Sequence, residues 1–168
     1  YNFSSVAEDS CFMVVFPSGL FNTWNTGPNM NYSHEVDDNS YFDALIDSID
    51  NNYPLDTNRV YLTGHSMGGF MASHMNCTNT SFTAYAGSGG GVYSGYFPNN
   101  AYTTLCSIEN GAYPNPMIIS HGIGDATVPY EHAIFNLYHF LHLNRCNGVT
   151  SWPYDYSWVG FYEIGVYW

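Results

Sequence analysis

The run Gly64-His65-Ser66-Met67-Gly68-Gly69 limits what this chain can fold into more than any other stretch. A serine with glycine two residues before it and two after it is the pattern of a sharp strand-to-helix turn, in which the flanking positions have no room for side chains. The surroundings fit that reading. Residues 59–63 (RVYLT) form a short apolar run suited to a buried strand, and residues 67–75 suit a helix with Phe70, Met71 and Met75 turned inward. Such a turn lifts the Ser66 hydroxyl above the sheet edge and aims the Met67 amide at charge developing on a carbonyl oxygen, with the helix N-terminus adding favourable potential. Ser66 is the candidate nucleophile and Met67 the candidate oxyanion donor.

Strand and helix alternate along the rest of the chain. Residues 12–16 (FMVVF), closed by Pro17-Ser18-Gly19, read as a strand apolar on both faces. Residues 38–53 place Phe42, Leu45, Ile46, Ile49 and Tyr53 at helical spacing, with Asp37 or Asp38 as N-cap. Residues 82–86, 116–120 (PMIIS) and 159–164 read as further strands. Residues 129–143 read as a helix with Ile134, Leu137, Tyr138 and Leu141 inward. Residues 87–115 have no clear period and read as a long loop or lid, and their Gly87-to-Gly91 cluster (GSGGG) fits no phosphate-binding loop. The pattern predicts a mostly parallel sheet with helices on both faces, a single α/β domain over residues 1–168, and a site at the carboxyl ends of its strands.

Charge removes two classes of partner. Fourteen acids stand against two bases, Arg59 and Arg145, for a net charge of -12. Neither nucleic acid nor an anionic membrane surface suits a chain without clustered Lys and Arg. With only 10% charged residues, solubility rests on Asn, Ser, Thr and Tyr as well as the acids, a composition typical of secreted proteins. Cys11, Cys77, Cys106 and Cys146 lack zinc-site spacing, so disulfides or buried thiols are expected, with all three pairings open. The sequons at Asn2, Asn31, Asn76 and Asn79 carry no weight in so Asn-rich a chain. No metal or cofactor is expected, and no apolar run is long enough to span a bilayer.

A serine hydroxyl needs a base, and the base needs an acid to fix its tautomer. Asp125, in the block HGIGDATVPY after strand 116–120, stands in the chain order Ser, acid, His expected of such a sheet. The seven histidines each have a plainer role. His65 sits inside the turn, His74 on the helix after it, and His121 packs or caps at a strand end. His132, His139 and His142 lie on the helix after Asp125, where the last two share a face; His34 stands beside Glu35, Asp37 and Asp38. None of them is taken as the base.

With these residues in place, the chain resembles alpha/beta hydrolases of the polyhydroxybutyrate depolymerase, feruloyl esterase and acetylxylan esterase group. The resemblance is carried by VVFPSGLFNTWN (14–25), VDDNSYFDALIDSI (36–49) before RVYLTGHSMGGFMA (59–72), FTAYAGSGG (82–90) and HGIGDATVPY (121–130). It implies an alpha/beta-hydrolase fold and a secreted serine carboxylic-ester hydrolase. Polyester chains, or acyl and feruloyl esters of plant polysaccharides, would be cleaved through an acyl-enzyme at Ser66. Loops 18–32 and 93–113 are expected to wall the cleft, with Phe21, Trp24 and His65 facing the substrate.

In that family the first strands and a His-Gly loop precede the strand placed here at Phe12, and the catalytic histidine follows the last strand. The chain is therefore expected to be incomplete at both ends, to lack its base within residues 1–168, and to be inactive as it stands. Two further readings stay open, a serine peptidase of the same fold and a non-catalytic relative that binds carbohydrate or polymer.

Overall fold

A computed structural model describes residues 3–26, 36–91, 115–144 and 162–165. In chain order its elements are α1 (Phe3–Ser10), a 3-10 turn (Leu20–Asn22), α2 (Asp38–Asp50), a 3-10 turn (Thr57–Arg59), β1 (Tyr61–His65), α3 (Met67–Thr78), β2 (Ala84–Ser88), β3 (Met117–His121), α4 (Glu131–Leu143) and β4 (Tyr162–Gly165). The strands form one sheet in the order β1-β2-β3-β4. The first three are parallel, with Tyr61 beside Ala84 and Tyr85 beside Met117, and β4 runs antiparallel to β3. Parallel strands joined through α3 are part of an α/β fold, as the alternation predicts.

Burial alternates along β1, β2 and β3, so these strands share one inner face. Tyr85, Met117 and Ile119 are buried, and with Met71 and Met75 of α3 and Leu137 and Phe140 of α4 they make the core. Gly87 lets α3 lie close: a Cβ there would come 3.3 Å from the Gly69 carbonyl oxygen and 3.1 Å from the end of the Met117 side chain. The opposite face, expected to be covered as well, shows Tyr61 at 62% and Ile118 at 49% exposure among the described residues. The strands are thus more amphipathic than their composition suggested.

Local chemistry sets the helix ends. Asp37 caps α2, accepting from the Ser40 amide and hydroxyl, and these bonds hold its carboxyl below the usual range. Asp43 of α2 accepts from Asn79 and Ser81, tying the helix to the chain between α3 and β2. Tyr85 donates to the Asn79 carbonyl, and its phenol is pushed well above its ordinary value by burial and by Asp43.

The first strand expected is not formed. Residues 12–16 enter no ladder, and Phe12, Met13, Val15 and Phe16 are all more than 40% exposed. An apolar run becomes a strand only where a sheet edge takes up its backbone, and among the described residues none does so here. Ahead of it lies α1, which the sequence reading missed, with Ala7 buried beneath it. On α4, Leu137 is buried as expected and Leu141 packs against the core, with Ala133, Asn136, Phe140 and Leu143 buried beside them and Ile134 partly exposed; the Tyr138 side chain lies outside the described residues. The unexpected inward residue is Asn136, whose amide donates to the Gly90 carbonyl at 3.3 Å. Cys77 is disulfide-bonded and Cys11 is free. Cys106 and Cys146 lie outside the described residues.

Burial lowers the His74 imidazole to about 4. The unfolded chain therefore takes up a proton that the folded chain refuses, and stability falls as pH drops from about 6.5 to about 4. The loss should reach on the order of 3 kcal/mol. Urea unfolding at pH 7 and pH 4 measures it. His74→Gln should flatten this part of the curve, and equal pH dependence in variant and wild type would refute the assignment.

Candidate active site

The turn between β1 and α3 is strained in the way the glycine pattern foretold. Ser66 has φ 53 and ψ -117, a left-handed conformation that costs a non-glycine residue on the order of 1–3 kcal/mol. Three contacts hold it there. Its amide donates to the Ser88 carbonyl at 2.8 Å, and its carbonyl accepts from Gly69 at 2.8 Å and Phe70 at 3.0 Å.

The glycines divide the labour differently from expectation. A Cβ on Gly64 would lie 2.1 Å from the Gly68 carbonyl oxygen, so Gly64 is required. A Cβ on Gly68 would meet nothing within 4 Å, so Gly68 matters here for its backbone. The second close approach is between Gly69 and Gly90: a Cβ on Gly90 would lie 2.7 Å from both the Gly69 carbonyl carbon and the Ser66 carbonyl oxygen. The Gly89–Gly91 stretch, read from sequence as loop, thus backs the serine turn, with Asn136 holding it from α4.

Asp125 follows β3 in a turn that its own side chain closes. Its Oδ1 accepts from the amides of Thr127 and Val128, both at 2.9 Å, and its amide donates to the Gly122 carbonyl at 3.2 Å. The Val128 and Thr127 amides hold its carboxyl below the usual carboxylate range, helped by the nearby His121 and His65. It is an anion at neutral pH.

Gly89, with φ +57, stands between Asp125 and the serine turn. A Cβ there would be 3.2 Å from His65 Cε1 and 3.6 Å from Asp125 Oδ2, while the preceding Ser88 holds the Ser66 amide. Ser66, His65 and Asp125 therefore gather at the carboxyl ends of β1, β2 and β3. His65 Nδ1 lies 3.4 Å from the Ser88 hydroxyl. Met67 opens α3, so its amide belongs to the first turn, whose N–H groups have no partner within the helix.

The structure moves Trp24 away from this end. Its neighbour Asn25 donates to Asp38 at 2.6 Å, and Asn39 donates to Thr78, the last residue of α3. Twelve helical residues put Thr78 about 18 Å from Ser66. The Trp24 ring packs on Phe42 at 5.2 Å and Tyr41 at 6.3 Å, so it belongs to the core beside α2 and does not line a cleft at Ser66. Phe21 is 72% exposed on its 3-10 turn. Loop 93–113 lies outside the described residues.

Two histidines near the site have defined surroundings. His121 is buried and bonds through Nε2 to the Val128 carbonyl at 2.8 Å. His132 packs its ring edge-on to Phe70, and burial, with His121 nearby, lowers its imidazole below the ordinary value. Among the described residues no group of three or more His, Cys, Asp or Glu side chains is arranged to hold a metal ion. No described helix is long and apolar enough to cross a membrane.

Known proteins give this geometry a context. No protein-family profile matches the chain. A probable feruloyl esterase C of Aspergillus terreus is 29% identical over 148 residues, which is 87% of this chain and 47% of that protein. A bifunctional acetylxylan esterase/xylanase of Neocallimastix patriciarum is 28% identical over 131 residues, 77% of this chain and 17% of that protein. A solved structure of a thermostable esterase aligns over 62% of this chain and 25% of its own, with a TM-score of 0.47 and 22% identity. The chain is thus similar to feruloyl and acetylxylan esterases, and it spans less than half the length of these relatives.

Proposed function

We propose that this chain carries the nucleophile and the acid of a serine carboxylic-ester hydrolase acting on acyl or feruloyl esters of plant polysaccharides. The observation that carries the reading is Ser66 at φ 53 on a strand-to-helix turn, with the Asp125 carboxylate beside Gly89, which also borders His65 of that turn. The similarity to feruloyl and acetylxylan esterases supports the substrate class.

In this reading the Ser66 hydroxyl attacks the ester carbonyl carbon and gives its proton to an imidazole oriented by Asp125. The Met67 amide stabilises the oxyanion. The imidazolium then protonates the departing alcohol as its bond to the acyl carbon breaks, and water reverses the sequence to free the acid and Ser66. His121 does not serve as that imidazole, because its ring is buried and bound to Val128. The Cys77 disulfide fits secretion, since such bonds persist in oxidising compartments.

The test is a substrate panel on the full-length protein: methyl ferulate, acetylated xylan, hydroxybutyrate oligomers and peptide amides. Ferulate or acetyl esters should be cleaved in preference to the other two. Preferred cleavage of peptide amides would overturn the assignment in favour of a peptidase, and preferred cleavage of hydroxybutyrate oligomers would move the substrate to polyesters.

A further inference from the structure

We infer that His121 is a positioning residue for the acid: it clamps the turn that presents Asp125 and leaves the outer carboxylate oxygen free for the base. The inference rests on the reading of Ser66 and Asp125 as nucleophile and acid.

His121 is the last residue of β3, and Asp125 stands four residues on, where a loop would be free to move. Val128 stops it from both sides. Its amide donates to Asp125 Oδ1 at 2.9 Å, and its carbonyl accepts from His121 Nε2 at 2.8 Å. The strand end, the Val128 peptide and the carboxylate are thereby one hydrogen-bonded series. The ring has little freedom of its own, since its side chain is fully buried, with Tyr130 edge-on at 6.2 Å.

The same geometry fixes the proton. A carbonyl only accepts, so Nε2 carries a hydrogen. Nδ1 is buried with no hydrogen-bond partner among the described residues. Nε2 is also 3.7 Å from Asp125 Oδ2, too long for a hydrogen bond. His121 therefore does not consume Oδ2. Oδ1 belongs to the turn, and Oδ2, on the side of Gly89 and His65, is left for an imidazole.

Side-chain length gives the test its selectivity. A glutamine amide nitrogen reaches the place of Nε2, whereas an asparagine amide nitrogen reaches only that of Nδ1. In the full-length protein, His121→Asn and His121→Phe should lower kcat for p-nitrophenyl acetate about 100-fold with KM unchanged, since small misplacements of catalytic groups cost about that much. His121→Gln should restore most of the loss. Thermal unfolding of each variant separates this from a packing defect, because a packing role predicts a kcat that follows stability whichever amide is present. Equal kcat in the Gln and Asn variants at matched melting temperature would overturn the inference.

Nitrogen chemical shifts of His121 in the unsubstituted protein supply a measurement independent of variant folding. An Nε2–H tautomer with a slowly exchanging proton is expected, and an Nδ1–H tautomer would overturn the clamp. Ser66→Ala is the control for the underlying reading: ester turnover that survives it removes Ser66 as the nucleophile, while the tautomer still judges the clamp.

Discussion

Ester hydrolysis by the full-length protein should fall about ten-thousand-fold or more when Ser66 is replaced by alanine, and fluorophosphonate labelling should vanish with it. The size of the effect follows from the mechanism. Without the hydroxyl there is no acyl-enzyme, and the oxyanion donor and the bound substrate give only the residual rate that such sites retain without their nucleophile. Folding should be nearly unaffected. Alanine at φ 53 is strained much as serine is, and the bonds that hold the turn come from the Ser66 backbone and not its side chain. A loss of activity at unchanged unfolding temperature is the expected pair of results. Labelling at another serine, or turnover retained in the variant, would remove Ser66 from the mechanism.

Why this turn was legible and other parts were not has a physical answer. Gly64 is required by a collision of its would-be Cβ with the Gly68 backbone, and constraints of that kind are local. They survive in a short motif whatever the rest of the chain does. The same holds for the Asp37 cap, which involves residues within one turn. The stretch FMVVF is the opposite case. Its composition suits a strand, but whether it becomes one is decided by a partner edge elsewhere, and among the described residues it has none.

The site divides along the same line. Asp125 is picked out by its place after strand 116–120 in the chain order, and the turn its carboxylate closes onto residues 127 and 128 is a local arrangement. Trp24 was misplaced because an aromatic in a loop carries no mark of which end of the sheet it will reach. Only the long-range bonds from Asn25 to Asp38 and from Asn39 to Thr78 determine that. The inward place of Asn136 on α4 is not visible in the sequence for a related reason. Hydropathy assigns asparagine to the outside, whereas Asn136 is buried because the Gly90 carbonyl offers it a partner. His121 likewise has no sequence signature beyond its place in the block with Asp125. Its bond to a backbone carbonyl seven residues ahead is visible only in three dimensions.

Asp125→Asn should be nearly as damaging as loss of the nucleophile, and it isolates charge and tautomer from geometry. Asparagine keeps a carbonyl oxygen where Oδ1 now accepts from Thr127 and Val128, so the turn can close as before. What changes is the other atom. The side that faces Gly89 and His65 would present an NH2 donor in place of a carboxylate oxygen. An imidazole meeting a donor turns its lone pair toward it, which puts the N–H on the nitrogen that must accept the Ser66 proton. The negative charge that stabilises the imidazolium is lost in the same step. A drop in kcat of about ten-thousand-fold is expected, with KM changed little, because the acid does not touch the substrate. The turnover that remains should rise with pH as hydroxide supplies the missing base. Because the Val128 and Thr127 amides keep the Asp125 carboxyl below the usual range, the wild-type acid limb should report the imidazole and not this carboxylate. A variant with ordinary kcat, or with its loss expressed in KM, would show that Asp125 only caps the turn before α4.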